Sequence, residues 1–285
     1  MVIDRAAIRK RKKQPSKRLC TPLQNVCILK ADGWTNQPRQ ESRHERKNMM
    51  KIVVFGSNGR TGHLVTQQAL AEGHAVTAVT RHPETFPLRH DRLQVRRGDV
   101  FDLSAVDQAV AGQEAVLSTL GVPFSRKPIT LYSQGTAHIV QAMHHHGVRR
   151  LVCVSSSATD PRTRYHDTGG GFIFERILKP IIIATIGRTQ YADMQRMETL
   201  VMNSQLDWTI VRPSGLFETP AVTDYHVAEA TIRGRFTARA DLADCMLRQL
   251  ATDQYLHKAV AVATFAVQPT LFEFLAREAF QRRPA

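Results

Sequence analysis

Three glycines at a regular spacing are the first residues of this 285-residue chain to suggest chemistry. They lie between the apolar run Lys51–Phe55 and a stretch of helical periodicity, in the loop Gly56-Ser57-Asn58-Gly59-Arg60-Thr61-Gly62. Such glycines permit a tight turn, let the backbone approach a pyrophosphate, and let the following helix pack close to the strand. The N–H groups and the positive dipole end of that helix favour phosphate. The loop is one residue longer at its first step than G-x-G-x-x-G, and it predicts a dinucleotide site formed by all seven residues.

The end of the next apolar run, Thr80-Arg81, indicates which dinucleotide is preferred. Proteins that bind NAD usually place an acid there for the ribose 2′-hydroxyl, but the first acid here is Glu84. The Arg81 guanidinium suits a 2′-phosphate instead, and Arg60 in the glycine loop lies within reach. We therefore predict NADP(H) as the cofactor. The alternative is that Arg81 is only a solvated residue at a strand end.

A third position on the cofactor side follows the next apolar run, at Asp99-Val100. A carboxylate at the carboxyl end of a strand can accept a hydrogen bond from the adenine amino group. An aspartate in an ordinary turn has the same appearance in the sequence, so both interpretations stay open.

These residues are positioned by an alternation of short apolar runs and longer helical stretches, which predicts successive right-handed βαβ units. Near-continuous apolar runs are typical of strands buried on both faces. The fold class is therefore α/β, with a doubly wound, Rossmann-like parallel sheet. The predicted strands are Lys51–Phe55, Ala75–Thr80, Leu93–Arg97, Ala115–Leu120, Arg150–Ser155, Asp207–Val211 and Ala259–Ala263. The predicted helices are Gly62–Glu72, Leu103–Val110, Thr130–His146, Phe172–Asn203 with a break at Pro180, Asp241–Thr252 and Leu271–Gln281.

The formal net charge of +14 is concentrated near the start of the chain. Residues 1–50 hold 13 Lys and Arg against 4 Asp and Glu, whereas the remaining residues hold 26 against 21. We interpret residues 1–49 as a flexible basic leader and residues 50–285 as the folded domain; a basic arm or a targeting segment is the alternative for the leader. Because the body carries only a small excess of positive charge, we do not expect a nucleic acid as its partner.

Cysteine usage and hydropathy bear on the compartment. No stretch reaches the roughly 18 uncharged apolar residues of a membrane helix, so we expect no membrane partner. The four cysteines form no C-x-x-C motif. We expect a cytoplasmic protein.

Several longer segments resemble one known group of proteins. They are Met50-Lys-Ile-Val-Val-Phe-Gly-Ser-Asn-Gly-Arg-Thr-Gly-His, Arg149-Arg-Leu-Val-Cys-Val-Ser-Ser-Ser-Ala, Leu206-Asp-Trp-Thr-Ile-Val-Arg-Pro and Arg239-Ala-Asp-Leu-Ala-Asp. These segments resemble the atypical short-chain dehydrogenase/reductases, namely the NmrA-like and flavin (biliverdin) reductase-like NAD(P)H-binding proteins. The resemblance covers Met50 to about Ala263 and implies a Rossmann domain with a small C-terminal region on the substrate side.

The resemblance also implies roles for residues at strand ends. Leu120, Gly121 and Pro213 would line the nicotinamide side, and Ser155 would also contact the cofactor. Ser157 matches the family's active-site serine; the alternative is that the Ser-Ser-Ser run is only a polar strand exit. The carboxyl ends of parallel strands are also where ligand groups are expected on physical grounds.

The chain departs from the wider superfamily at one position. Typical members use Tyr-x-x-x-Lys, in which the lysine lowers the pKa of the tyrosine so that it acts as acid or base. The nearest counterpart here is Tyr191, with Gln195 where the lysine would stand. A register shifted by one residue would place Gln190 at the tyrosine position instead. Glutamine carries no charge, which argues against a carbonyl reduction that depends on this pair.

The function favoured by these observations is transfer of a hydride from NADP(H) to a flavin, quinone or similar conjugated acceptor. Such acceptors require mainly correct positioning, and Ser157 and Tyr191 are the candidate catalytic residues. One alternative is a non-catalytic NADP(H)-sensing regulator of the NmrA-like type that acts through a protein partner. Another is a sugar-nucleotide-type epimerase or dehydratase, against which the missing lysine argues.

Two further motifs receive simpler interpretations. The run His144-His145-His146 predicts no metal site, because consecutive residues on a helix point in different directions. It closes a helix before Gly147, where cationic side chains suit the dipole. The run Gly169-Gly170-Gly171 predicts a loop that could cover the substrate side.

Overall fold

The computed structural model describes residues 49–123, 127–160, 162 and 187–269. The strands within these residues are β1 (Lys51–Phe55), β2 (Ala75–Thr80), β3 (Leu93–Arg97), β4 (Ala115–Ser118), β5 (Arg150–Val154), β6 (Asp207–Pro213), β7 (Gly215–Phe217), β8 (Tyr225–Glu229), β9 (Phe236–Ala238) and β10 (Lys258–Thr264). The α-helices are α1 (Arg60–Ala71), α2 (Leu103–Val110), α3 (Leu131–His146), α4 (Arg188–Met202) and α5 (Arg239–Arg248). Short 3-10 turns lie at Pro83–Thr85 and Ser157–Thr159.

Eight of these strands form one sheet in the order β3-β2-β1-β4-β5-β6-β10-β8, and β7 pairs with β9 in a small second sheet. The strands from β3 to β10 in this order are parallel to their neighbours. The predicted doubly wound α/β fold is therefore confirmed. The order reverses between β1 and β4, which creates a crevice at the carboxyl ends of these two strands.

One edge of the sheet differs from the prediction of a purely parallel sheet. Strand β8 pairs with β10 in the antiparallel direction, with Val262 opposite Val227. None of its five residues is fully buried. An edge strand of this kind has no apolar run, and the hydropathy pattern therefore gave no signal for it.

Helices cover both faces of the sheet because the side chains of each strand alternate between the faces. In β1, Val53 and Phe55 belong to the core beneath α2, α3 and α4, whereas Ile52 and Val54 belong to the core beneath α1 and α5. All four side chains are fully buried. The strand is thereby fixed from both sides, and the loop that follows it is held in one place.

Several element boundaries need correction. Strand β4 ends at Ser118 rather than Leu120, and β6 continues to Pro213. Helix α5 begins at Arg239 and ends at Arg248, so it is shifted from the predicted 241–252. The predicted leader, the triple glycine and the helices predicted for 172–186 and 271–281 lie outside the described residues. Among the helices that the structure describes, none combines the length and the apolar character of a membrane-crossing segment.

Candidate functional site

The glycine loop joins β1 to α1 at the carboxyl edge of the sheet. Gly56 has a φ of +77°, and a Cβ at this position would lie 2.6 Å from the carbonyl oxygen of Thr119. A Cβ on Gly62 would lie 2.2 Å from the carbonyl oxygen of Gly56. The Gly59 N–H donates to that same oxygen at 3.0 Å and closes the turn. Any side chain at Gly56 or Gly62 would therefore displace the loop from the sheet.

The N-terminus of α1 has the features that a phosphate group requires. Gly59 is the N-cap residue, no side chain caps the helix, and its first turn contains no acid. The first N–H groups of a helix have no partners within the helix, so they are suited to an anion. The three glycines of the loop have no Cβ atoms, which lets a pyrophosphate approach these N–H groups. The residues present therefore fit a dinucleotide.

The other loop residues divide into structural and accessible ones. The Ser57 hydroxyl is buried and donates to the carbonyl oxygen of Val79 at 2.8 Å, which ties the loop to β2. Its side chain is therefore used by the fold, and a cofactor contact of Ser57 has to come from its backbone. Asn58 and Arg60 are exposed at the surface of the loop.

A contact that the sequence did not predict connects this loop to the segment after β7. Arg239, the first residue of α5, donates from Nη1 to Thr61 Oγ1 at 3.1 Å and from Nε to Glu218 Oε1 at 2.8 Å. Arg60 Nη1 lies 3.4 Å from the same Glu218 oxygen. Two guanidinium groups therefore stand beside the N-terminus of α1 and share one carboxylate. In the sequence, Arg239 stood out only as part of a segment that resembles the family, and its partners Thr61 and Glu218 were not predicted.

The carboxyl end of β2 presents Arg81 to solvent. Thr80 Oγ1 accepts from the His82 N–H at 3.1 Å, and Arg97 Nη1 donates to the Arg81 carbonyl oxygen at 3.0 Å. Arg97 also pairs with Glu84 at 2.9 Å, so the first acid after the strand is neutralised by an arginine. No described residue forms a hydrogen bond or ion pair with the Arg81 guanidinium. This arrangement agrees with a 2′-phosphate contact, which stays a prediction.

Asp99 and Val100 hold the connection between β3 and α2. Asp99 Oδ1 accepts from the Phe101 N–H at 3.0 Å, which is an ordinary turn contact. The Val100 carbonyl oxygen accepts from His138 Nδ1 at 2.8 Å, and the Val100 side chain is buried. Both residues lie at the carboxyl end of their strand as expected. Their contact with adenine stays a prediction.

Leu120 and Gly121 follow β4 on the predicted nicotinamide side. The segment that they begin contacts Tyr132, which was not among the predicted site residues. The Val122 N–H donates to Tyr132 Oη at 3.3 Å, and Gln190 Nε2 donates to the same oxygen at 2.9 Å. Burial raises the pKa of the Tyr132 phenol. Tyr132 therefore links the segment after β4 to α4 as a neutral group.

The three serines after β5 have different surroundings. Ser155 is 3% exposed, and its Oγ has no hydrogen-bond partner among the described residues. Ser156 Oγ accepts from the Ala158 N–H at 3.2 Å. Ser157 begins the 3-10 turn and is half-buried. A buried hydroxyl without a protein partner at this edge of the sheet fits a polar group of a ligand.

Tyr191 lies on α4 and packs against the core below the serine segment. Burial raises the pKa of its phenol, the nearby Tyr132 raises it further, and a side-chain hydrogen bond with Ser156 lowers it in part. Gln195 Nε2 donates to the Thr159 carbonyl oxygen at 3.1 Å. The residue at the lysine position therefore supports the turn after β5 and supplies no charge to the tyrosine.

A buried ion network fixes the same turn from beneath. Arg212 forms two hydrogen bonds with Glu198, at 2.9 and 2.7 Å, and one with Asp160 at 2.8 Å. Thr159 Oγ1 donates to Glu198 Oε1 at 2.8 Å. Burial alone would raise the pKa of Asp160, but the hydrogen bonds and charges of Arg162 and Arg212 outweigh it and lower this pKa. The network joins β6 and α4 to the turn. In the sequence, Arg212 stood out only as part of the Val-Arg-Pro segment of the resemblance, and the network itself was not predicted.

The carboxyl ends of β1 to β6 bring the predicted site residues to one edge of the sheet. They are the glycine loop, Thr80, Arg81, Asp99, Val100, Leu120, Gly121, Ser155, Ser157 and the buried Pro213. Ligands of doubly wound sheets bind along this edge, at the point where the strand order reverses. The fold and the loop together define a dinucleotide-binding protein.

Comparison with known families makes this class more specific. Residues 56–253 match a family described as NAD(P)H-binding, and the chain belongs to this family. The NAD(P)H-binding class that the resemblance predicted is thereby confirmed.

Individual relatives share parts of the chain. An uncharacterized chloroplastic protein of Arabidopsis thaliana is 26% identical over 230 residues, which cover 77% of this chain and 78% of the relative. A 2-alkyl-3-oxoalkanoate reductase of Stenotrophomonas maltophilia is 31% identical over 128 residues, covering 43% of this chain and 38% of that enzyme. Matches to uncharacterized mycobacterial proteins span only 12% of those proteins' length.

Solved structures share the fold. A wide-type short-chain dehydrogenase/reductase of Veillonella parvula, determined in complex with NADP, superimposes with a TM-score of 0.62 at 18% identity. The match covers 78% of this chain and 99% of that one. At this level of identity the likeness establishes the common fold.

Proposed function

We propose that this chain is an NADPH-dependent reductase that transfers a hydride to a flavin, quinone or similar conjugated acceptor. The observation that carries the proposal is the environment of Tyr191. Burial raises the pKa of its phenol, and Gln195, at the lysine position, gives its amide to the Thr159 carbonyl oxygen. The phenol is therefore a weak acid near neutral pH. An acceptor that takes a hydride without a strong acid beside it fits such a site.

The cofactor side supports NADPH as the hydride source. NADPH, when bound, supplies the hydride. The N–H groups at the start of α1 would bind its pyrophosphate, and Arg81 would bind its 2′-phosphate. Arg60 and Arg239 add positive charge at the same end of α1. Glu84, the first acid after β2, is already paired to Arg97 and is therefore less available to the 2′-hydroxyl of NADH.

The acceptor side is formed by neutral groups. Ser155 and Ser157 would orient the acceptor or the carboxamide of the cofactor by hydrogen bonds. Tyr132 holds the segment after β4 through Val122, which keeps that wall of the site in place. The partner implied by this arrangement is a small molecule.

Two other functions remain as candidates. A regulator that binds NADP(H) without turnover is favoured by the same weak acidity of Tyr191, because the site then needs no proton donor. A carbonyl reductase is suggested by the Stenotrophomonas relative, whose name describes reduction of an oxoalkanoate. The uncharged Gln195 argues against the carbonyl reductase.

One experiment separates these functions. NADPH oxidation is followed with the full chain against flavins, quinones and aldehydes, and the binding of NADPH and NADP+ is titrated in parallel. Turnover with flavins or quinones supports the proposal. Turnover with aldehydes alone would assign a carbonyl reductase, and tight binding without turnover would assign a regulator.

A further inference from the structure

A cluster of two histidines and one aspartate lies on the surface away from the cofactor edge. His145 Nδ1 is 2.7 Å from Asp107 Oδ1, and His146 Nε2 is 3.1 Å from Asp107 Oδ2. The two imidazole ring centroids are 4.5 Å apart. The histidines close the last turn of α3, and the aspartate belongs to α2.

We propose that Asp107, His145 and His146 bind a Zn²⁺ ion or a similar late transition-metal ion that links α2 to α3. Two imidazole nitrogens and one carboxylate form a donor set that zinc, nickel and copper prefer, whereas magnesium and calcium prefer oxygen ligands. One ligand atom from each residue lies within 4.8 Å of the others. Zinc with bonds of about 2.0–2.2 Å holds tetrahedral ligands about 3.3–3.6 Å apart, so a pair as far apart as 4.8 Å has to close by about 1.2–1.5 Å.

The side chains of His145 and Asp107 can move because they are accessible, whereas Nε2 of His146 is buried and has no hydrogen-bond partner among the described residues. The side chain of His145 is 68% exposed, and those of Asp107 and His146 are 32% and 23% exposed. The backbones that carry them are fixed, because Val106 of α2 and Met143 of α3 belong to the same buried core. The site therefore has adjustable ligands on a rigid support, and solvent can deliver the ion.

The electrostatics of this corner also favour a cation. Helix α3 ends here at Gly147, whose φ is +69°, and the carboxyl end of a helix attracts positive charge. Gln141 and Ser104 line the same groove as Asp107 and His145 and add polar groups beside the cluster.

The prediction that the run His144-His145-His146 binds no metal rests on the geometry of one helix. Consecutive residues of a helix do diverge by about 100°. Two of the three histidines nevertheless reach the same aspartate, because the third ligand comes from the neighbouring helix rather than from α3. His144 is exposed and lies outside this cluster, so it provides a matched control.

The test uses the full chain, stripped of metal with a chelator and dialysed, and titrated with Zn²⁺ by calorimetry. The variants are Asp107→Asn, His145→Ala and the control His144→Ala, each checked for an unchanged circular-dichroism spectrum. We expect Asp107→Asn and His145→Ala to lose one zinc equivalent or to weaken it at least about 10-fold, whereas His144→Ala binds like wild type. A Co²⁺ titration should show a ligand-field absorption band in wild type that is missing in Asp107→Asn.

Two results would overturn the proposal. If Asp107→Asn and wild type bind the same number of zinc ions with the same affinity, the cluster is only a pair of ion contacts at a helix end. If His144→Ala loses the zinc equivalent as well, the ion binds the histidine run non-specifically. Zinc bound through histidines elsewhere in the chain is common to all four proteins and cancels in the comparison.

Discussion

Replacing Arg81 with alanine should change the cofactor preference of this chain. The guanidinium lies exposed at the end of β2, and no described residue pairs with it. Two unit charges about 4 Å apart attract by about 1 kcal/mol in water and about 4 kcal/mol at an effective dielectric constant of 20. A strand end in a crevice lies between these limits, so a charge-assisted contact with the 2′-phosphate should contribute about 1.5–3 kcal/mol.

This contribution corresponds to a roughly 10- to 150-fold weaker binding of NADPH by Arg81→Ala. Binding of NADH should stay nearly unchanged, because NADH has no 2′-phosphate. Titration calorimetry with both cofactors measures the two losses separately. The fragments 2′,5′-ADP and 5′-AMP give the same comparison without the nicotinamide, and the difference should shrink at high salt.

A matched control is available in the same connection. Arg89 is exposed and donates to the carbonyl oxygens of Phe86 and Leu88, so Arg89→Ala removes the same charge from nearby without touching the end of β2. This variant should bind both cofactors like wild type. Equal losses of NADPH and NADH in Arg81→Ala would refute the reasoning and show that the arginine supports the strand end.

Four other predictions concern the fold and the site. A chain that begins at Met50 should melt within a few degrees of the full chain, measured by calorimetry, and bind NADPH equally well. Ser157→Ala should slow turnover about 2- to 13-fold in steady-state kinetics, because it removes one neutral hydrogen bond. Tyr191→Phe should slow turnover less. Abolished turnover in Tyr191→Phe with intact NADPH binding would contradict the proposed mechanism. Gly62→Ala should weaken NADPH binding more than 10-fold in a fluorescence titration, since its Cβ would lie 2.2 Å from a loop oxygen. Glu198→Gln should lower the free energy of unfolding in urea by about 3 kcal/mol, because it leaves a buried arginine only partly paired.

The sequence was sufficient where periodic patterns decide the structure. The bounds of β1, β2, β3 and α2 agree with the prediction because each is an apolar or amphipathic run with clear ends. The glycine loop could be predicted because a dinucleotide site requires glycines at a regular spacing, and that spacing can be read directly from the sequence. Strand β8 was missed because it lies at an edge and has no fully buried residue, and β7 and β9 were missed because three residues are too few to show a periodic pattern.

The charged networks of the site could not be predicted for a different reason. Arg212 pairs with Glu198, and Arg239 pairs with Glu218. In both pairs the partner is specified only by how the elements pack. The cluster on Asp107 shows the same limit, because its ligands come from two helices. Sequence spacing within one element says nothing about such contacts.

The carboxylate of Asp193 makes the N-terminus of α3 depend on the position of α4. This fully buried residue of α4 accepts hydrogen bonds from the backbone N–H groups of Tyr132 and Ser133 at 2.8 and 3.3 Å, and so caps α3 from about 60 residues away. The first turn of α3 therefore has its cap only when α4 is docked. The rate of amide hydrogen exchange at Tyr132 and Ser133 therefore measures how often α4 undocks from α3. Since α4 also carries the candidate residue Tyr191, these two amides report whether that helix is in place, with no substrate and no cofactor needed.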